Sequence, residues 1–224
     1  MSIEKASCAD CTVSPAKRKC MSDQIGAGPS FCPTEKNVNE VEDALKKYRL
    51  SDNKSFYQQS IIQEGSGYEN RRHKPYAVKT RIQEIMEFAR RMEYRTMGLA
   101  FCSGLRKEAA SFSDLLEREG FEVISVICKV GCVPKEKVGI QDDDKVSIGK
   151  FESTCNPFAQ AGIMNEEGTQ FNILLGLCVG HDSLFIKESK APVTILAVKD
   201  RVTGHNPLAP LYTLDSYYQR LKKK

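Results

Sequence analysis

The chain of 224 residues contains no apolar run long enough to cross a lipid bilayer. Its two longest apolar stretches, at residues 171–179 and 191–198, have the length of buried strands. The residues after the first five are polar, which argues against a secretory signal peptide. We therefore expect a cytoplasmic protein that does not interact with membranes.

The sequence also lacks the features of two common ligand-binding classes. Its net charge of +4 comes from basic residues that are mixed with acidic ones, which argues against a nucleic-acid partner. The run from Cys178 to His181 has too few glycines, and no Lys-Ser or Lys-Thr pair, to form a phosphate-binding loop. The remaining partners are a small molecule or a redox protein, and the composition is compatible with an oligomer.

Apolar, strand-like runs alternate with helical patterns over most of the chain. Four such runs predict strands at residues 96–102, 121–128, 170–178 and 192–199. Continuous apolar strands separated by helices indicate an α/β fold, in which helices cover both faces of a parallel sheet. Residues 68–76 are predicted to form a loop, and residues 214–221 a terminal helix.

The first forty residues differ from the rest, because proline, glycine and serine punctuate them and no helical or strand period is present. The sequence therefore predicts a small cysteine-rich metal-binding segment at residues 1–38, followed by an α/β domain at residues 39–224. The nine cysteines of the chain are many for a reducing compartment, where disulfides do not persist. Metal binding or catalysis explains them better, although any single cysteine can also be a small buried apolar residue.

Four cysteines lie in the N-terminal segment: Cys8, Cys11, Cys20 and Cys32. The Cys8-x-x-Cys11 spacing is typical of a turn that offers two thiolates to one metal ion. Cys20 and Cys32 complete a set of four thiolates, which suits either zinc or an iron–sulfur cluster. A structural metal is favoured here over a redox pair, because redox C-x-x-C turns belong near a βαβ unit.

A second group of cysteines follows the predicted strands. Cys102, Cys128 and Cys178 each end a strand, and Cys155 precedes the start of a helix. The carboxyl ends of parallel strands share one edge, where ligands bind, so we expect these four thiols to converge. Widely spaced thiolates suit an iron–sulfur cluster in a cleft better than a compact zinc site. His181 lies three residues after Cys178, which allows both to bind one ion, while a structural role such as a hydrogen bond to a loop carbonyl is an equal alternative for His181.

Five runs carry a resemblance to a known family: GLAFCSGL from Gly98, CKVG from Cys128, CNPFAQ from Cys155, GLCVGHDSLF from Gly176 and KDRVTGHNP from Lys199. Together they resemble a family of uncharacterised prokaryotic proteins that are described only as predicted metal-binding proteins. The resemblance covers nearly the whole chain and implies metal binding in an anaerobic setting. It implies no reaction and no catalytic residue.

Three functions are compatible with these features. In the first, the strand-end thiolates hold a metal or cluster that carries out redox or sulfur-transfer chemistry on a small molecule. In the second, the N-terminal thiolates store, sense or deliver a metal, or carry electrons, without catalysis. In the third and least favoured, Cys178 is a metal-free nucleophile at a helix N-terminus and His181 is its base.

Overall fold

The computed structural model describes residues 5–22 and 26–222, apart from the side chains of residues 51 and 52. The chain divides into two compact units, Met1–Ile62 and Gln63–Lys224, and the division falls inside one helix. The predicted boundary at residue 38 marks the end of the cysteine-rich segment and stays a prediction. None of the helices in the described ranges is both long and apolar enough to cross a membrane.

The first unit begins with turns and ends with helices. A single bridge pairs Arg18 with Ala27, after two short 3₁₀ helices at Cys8–Asp10 and Pro15–Lys17. Three α-helices follow in order: α1 at Pro33–Lys36, α2 at Val38–Tyr48 and α3 at Ser51–Ser66.

The second unit contains a hairpin, a parallel sheet and the helices that connect its strands. Its elements are, in chain order, β1 (Tyr68–Glu69), β2 (Tyr76–Ala77), α4 (Arg81–Arg91), β3 (Thr96–Phe101), α5 (Arg106–Arg118), β4 (Glu122–Ile127), α6 (Pro157–Glu166), β5 (Phe171–Leu175), α7 (His181–Glu188), β6 (Val193–Ala197) and α8 (Ala209–Tyr212). The four longer strands pair in the order β4-β3-β5-β6, and every neighbouring pair is parallel.

Helices cover both faces of this sheet, which confirms the predicted fold class. Leu174 of β5 belongs to one buried cluster with Ala161 of α6 and Phe185 of α7. Three residues earlier in β5, the Phe171 ring lies 5.5 Å from the ring of Phe88 in α4. Since successive strand side chains point to opposite faces, α4 covers one face and α6 and α7 cover the other.

Two predicted segments differ in the structure. The ends of the predicted loop at residues 68–76 pair as the antiparallel hairpin β1–β2. The predicted terminal helix at residues 214–221 does not form, because α8 ends before this range and only a 3₁₀ helix at Gln219–Lys222 falls within its end. Residues 213–218 between them lie at the surface, where Tyr217 is largely exposed. A short segment whose apolar side chains stay exposed gains too little from packing to stay helical.

The strand order reverses between β3 and β5, because the chain leaves β3 towards β4 and later returns across β3 to build β5 and β6. Ligands of such sheets bind outside the carboxyl ends of the strands at this switch point. Cys102 directly follows β3, and Cys178 is the third residue after β5. The fold therefore places two of the predicted site residues at its switch point.

Candidate functional site

Two cysteines continue the hydrogen-bond ladder of the sheet by one residue. The backbone N–H of Cys102 donates to the carbonyl oxygen of Leu175 (3.0 Å), and that of Cys128 donates to the carbonyl oxygen of Phe101 (2.8 Å). Both side chains are buried. Their positions at the edge of the sheet are therefore fixed by β-pairing.

Cys155 reaches the same edge through the helix that follows it. The backbone N–H of Asn156 donates to the carbonyl oxygen of Cys128 (2.8 Å), which brings Cys155 beside Cys128. The side chain of Asn156 caps α6 by accepting a hydrogen bond from the N–H of Ala159 (3.1 Å). A proline in the first turn suits this helix start.

The thiol of Cys128 lies between two others. It interacts with Cys102 on one side and with Cys155 on the other, and it shifts the pKa of each. Its sulfur also accepts the backbone N–H of Ser103 (3.3 Å). We call Cys102, Cys128, Cys155 and Cys178 the strand-end cysteines, and three of the four are thus within interaction range of one another.

These contacts give two of the thiols different acidities. The hydrogen bond to Cys128, together with burial, raises the pKa of Cys102 to about 12. The hydrogen bond with Cys128 lowers the pKa of Cys155 to about 7, with burial opposing this change and the charge of Lys129 assisting it. Near neutral pH, Cys102 is therefore a thiol, while Cys155 is partly ionised.

Cys178 is half-buried and has a cation as its neighbour. The guanidinium Nη2 of Arg201 donates to the Cys178 sulfur at 3.2 Å. This hydrogen bond and the charge of the Cys178 thiolate raise the pKa of Arg201, and the charges of Cys102 and Cys155 add to the effect. Arg201 is therefore within electrostatic range of three strand-end cysteines.

Lys199 is a second cation at this edge, and it hydrogen bonds with Cys102. Its Nζ lies beside Gly104 and Gly176, at 3.7 and 3.8 Å from where a Cβ atom would stand on each glycine. The backbone N–H of Lys199 donates to the carbonyl oxygen of Leu177 (3.1 Å), which holds the end of β6 beside the chain that leads to Cys178.

Lys129, Lys199 and Arg201 were not predicted from the sequence to belong to the site. For Lys199 and Arg201 the available signal was the pair of basic residues at the end of the fourth strand, at the same edge as the cysteines.

His181 is the first residue of α7 and lies close in sequence to Cys178. Its Nδ1 atom is buried and has no hydrogen-bond partner within the described part of the chain. Nδ1 is therefore not bonded to the Cys178 thiol, as a general base acting through this atom would be. A buried ring nitrogen without a protein partner is a group that a bound ion or molecule would satisfy.

The N-terminal cysteines occupy short turns in the first unit. The N–H of Cys11 donates to the carbonyl oxygen of Cys8 (3.2 Å), so the C-x-x-C segment forms a tight turn. Cys32 packs against Gly28, where a Cβ would lie 2.7 Å from the Cys32 sulfur. Cys20 is exposed just after the bridge at Arg18.

The thiols of the two groups are not arranged as a ready metal site. Across residues 5–22 and 26–222, no three His, Cys, Asp or Glu side chains are placed so that they could hold one metal ion together. The structure thus brings the strand-end cysteines together at one edge, and metal binding by either group stays a prediction.

Comparison with known proteins identifies the family. A model of the family described as "Protein of unknown function (DUF1847)" matches residues 32–196, which include all four strand-end cysteines. A relative from the archaeon Methanocaldococcus jannaschii, the uncharacterized protein MJ0455, is 49% identical over 148 residues. The aligned part covers 66% of this chain and 72% of the relative. The resemblance to an uncharacterised prokaryotic family is confirmed to that extent, whereas its metal-binding label stays a prediction. The chain belongs to the DUF1847 family.

Proposed function

We propose that the strand-end cysteines bind a metal ion or an iron–sulfur cluster, which serves redox or sulfur-transfer chemistry on a small molecule. One observation carries the proposal. Backbone hydrogen bonds place Cys102, Cys128 and Cys155 together at the switch point of a parallel sheet, where their thiols interact, and Arg201 links Cys178 electrostatically to them. This is the edge at which α/β sheets bind their ligands.

The chemistry of the donor set fits such a group. Thiolates are the ligands of iron–sulfur clusters and of many zinc sites, and they bind only when deprotonated. Lys199 and Arg201 each contact a strand-end sulfur, and cations favour the ionised form of a neighbouring thiol. The unpartnered Nδ1 of His181 is a further donor in the same region of the sequence. A cysteine sulfur turns about χ1 without moving the backbone, so the thiols can reorient around an ion.

The site has a buried side and an accessible side. Cys102 and Cys128 are buried, whereas Cys155, Cys178 and His181 are half-buried. When bound, a cluster would supply electron transfer or an open iron, and a metal ion would supply a Lewis acid. In either case the buried thiols would anchor the group, while the half-buried residues would leave a small molecule room to approach.

The main alternative is a non-enzymatic protein whose working site is the N-terminal group. The tight turn from Cys8 to Cys11 favours this reading, because it holds two thiols one turn apart. Cys20 and Cys32 would complete the set. Such a protein would store, sense or deliver a metal, or pass electrons to a partner.

The test is anaerobic purification followed by iron, zinc and acid-labile sulfide analysis and an absorption spectrum. We expect Cys102→Ala, Cys155→Ala and Cys178→Ala each to lose bound metal while the protein stays folded. Cys132→Ala is the matched control, because Cys132 is an exposed loop cysteine. If all three variants kept the full metal content of the wild type, the proposed strand-end site would be wrong. The N-terminal group would then be the site to pursue.

A further inference from the structure

Helix α2 carries an apolar stripe with the spacing of a coiled coil. Val38, Val41, Leu45 and Tyr48 are separated by three, four and three residues, which are the a and d positions of a heptad. These four side chains are between 40% and 51% exposed. None of the eleven residues of α2, all of which the structure describes, is buried.

A helix of this length needs a packing surface. Isolated helices shorter than about 12–15 residues are marginal in water, and most helical stability in proteins comes from burial of an apolar face. The Tyr48 ring stacks on the Tyr57 ring of α3 at a centroid distance of 4.0 Å, but the stripe as a whole remains exposed. The stripe is therefore the surface on which α2 would gain most from a partner.

The charges of α2 indicate which partner fits. Acidic residues occupy its first half and basic residues follow: Glu40, Glu42 and Asp43, then Lys46, Lys47 and Arg49. A helix with this charge order is complementary to a second copy of itself that runs in the opposite direction.

The heptad frame makes this complementarity specific. With Val38 and Val41 at a and d, the flanking e positions are Glu42 and Arg49, and both side chains are exposed. In an antiparallel pair the e positions of the two helices face each other, so Glu42 meets Arg49 of the partner subunit twice. In a parallel pair Glu42 would face Asn37 and Arg49 would face Ala44 at the g positions, and neither of these carries a charge.

We propose that the chain forms a two-fold symmetric dimer in which α2 pairs in antiparallel fashion with α2 of a second copy. The apolar stripe forms the seam, and two equivalent Glu42–Arg49 ion pairs flank it. Such an isologous contact closes on itself and leads to a dimer rather than a filament. The proposal is independent of any metal at the strand-end cysteines.

The test measures the mass of the full chain in solution over a concentration series, by sedimentation or light scattering. We expect the wild type to have twice the mass of one chain. Glu42→Arg and Arg49→Glu should each halve that mass, since each places like charges opposite one another on both sides of the seam. Glu40→Arg is the matched control, because it makes the same charge change at the outward c position and should leave the dimer intact.

Mixing the two single variants tests whether the Glu42–Arg49 ion pairs themselves hold the dimer together. A Glu42→Arg chain and an Arg49→Glu chain place opposite charges at both e contacts, so the mixture should regain the mass of a dimer. The double variant Glu42→Arg/Arg49→Glu should also be dimeric. A monomeric wild type, a dimer that both single variants leave intact, or a mixture that stays monomeric would each overturn the proposal.

Discussion

The two groups of cysteines reach their positions by opposite routes. Cys8 and Cys11 are neighbours in sequence and are held by a single turn of the backbone. Cys102 and Cys128 are far apart in sequence and are held side by side by the pairing of β3 with β4. The first group depends on local chain geometry, and the second depends on the whole sheet.

This difference matters for the chemistry that each group can support. The strand-end thiols interact with one another and with two cations, and the interaction with Cys128 raises the pKa of Cys102 while it lowers that of Cys155. In the N-terminal group, Cys8 and Cys20 are exposed. Thiols that a rigid sheet holds in contact are better prepared for ligation or redox chemistry than thiols in solvent-exposed turns. Two substitutions test this contrast directly, and two further ones test contacts that stabilise the second unit.

The largest effect is expected for Cys128→Ser. Cys128 is the thiol that interacts with both Cys102 and Cys155, and a hydroxyl oxygen is a poor ligand for zinc or for a cluster. We expect the strand-end metal to be lost completely, measured as metal per chain after anaerobic purification. Cys8→Ser should leave that metal in place. Equal metal loss in both variants would mean that the two groups form one site.

The next largest effect is expected for Arg201→Gln. Removal of the cation beside Cys178 destabilises the thiolate without removing a ligand. Loss of such a supporting contact typically lowers metal affinity by about 10- to 100-fold. Competition against a chelator would measure the change. Arg220→Gln, which removes a guanidinium lying over the Tyr218 ring, should have no effect. Equal metal affinities in the two variants would mean that Arg201 does not support metal binding.

A smaller effect is expected for Gln160→Leu, and it concerns folding. Gln160 of α6 is fully buried, and its Nε2 donates to the carbonyl oxygen of Val126 at 2.8 Å, near the end of β4. The loss of this buried hydrogen bond should lower the free energy of unfolding by about 1–3 kcal/mol. Denaturant titration would measure it. Gln58→Leu, at an exposed position of α3, should change stability far less. A similar loss in both variants would argue against a special role for Gln160.

The smallest effect is expected for Glu152→Gln, and it depends on pH. The Nζ of Lys135 lies 2.7 Å from Oε1 of Glu152 and forms an ion pair with it. The hydrogen bond from Lys135 holds the pKa of Glu152 below its ordinary value. A lowered pKa in the folded state stabilises the protein above the unfolded pKa of about 4.3. This contribution is lost as the pH falls through the folded pKa.

Wild type should therefore melt at a higher temperature than Glu152→Gln at neutral pH, and the difference should vanish in strong acid. Lys135→Gln should behave in the same way, because it removes the other partner of the ion pair. A melting difference that is independent of pH would exclude the ion pair as its cause.

Much of this architecture could be predicted from the sequence. Apolar runs separated by helical patterns predicted the parallel sheet, and parallel strands necessarily bring their carboxyl ends to one edge. That rule predicted the approach of Cys102 to Cys128 without any local motif. The predicted roles of the strand-end cysteines, His181 and the N-terminal cysteines in metal binding stay predictions.

The contacts within the site could not be predicted in the same way. The central place of Cys128 follows from the register of β3 with β4 and from the return of the chain at Asn156. The approach of Arg201 to Cys178 depends on how the chain continues past the end of β6. Neither a register nor a side-chain direction after a strand leaves a periodic pattern in the sequence. The terminal helix was predicted wrongly for a related reason, since helix formation there needs a packing surface that the pattern does not reveal.

The four strand-end cysteines come from separate stretches of chain, and this has a thermodynamic consequence. A ligand held by all four would cross-link the ends of β3, β4 and β5 and the start of α6, so it would close several long loops at once. Such a ligand binds the native chain and has little affinity for the unfolded one, in which these residues are dispersed. Its affinity and the free energy of unfolding would then be linked quantities, and each would report on the other.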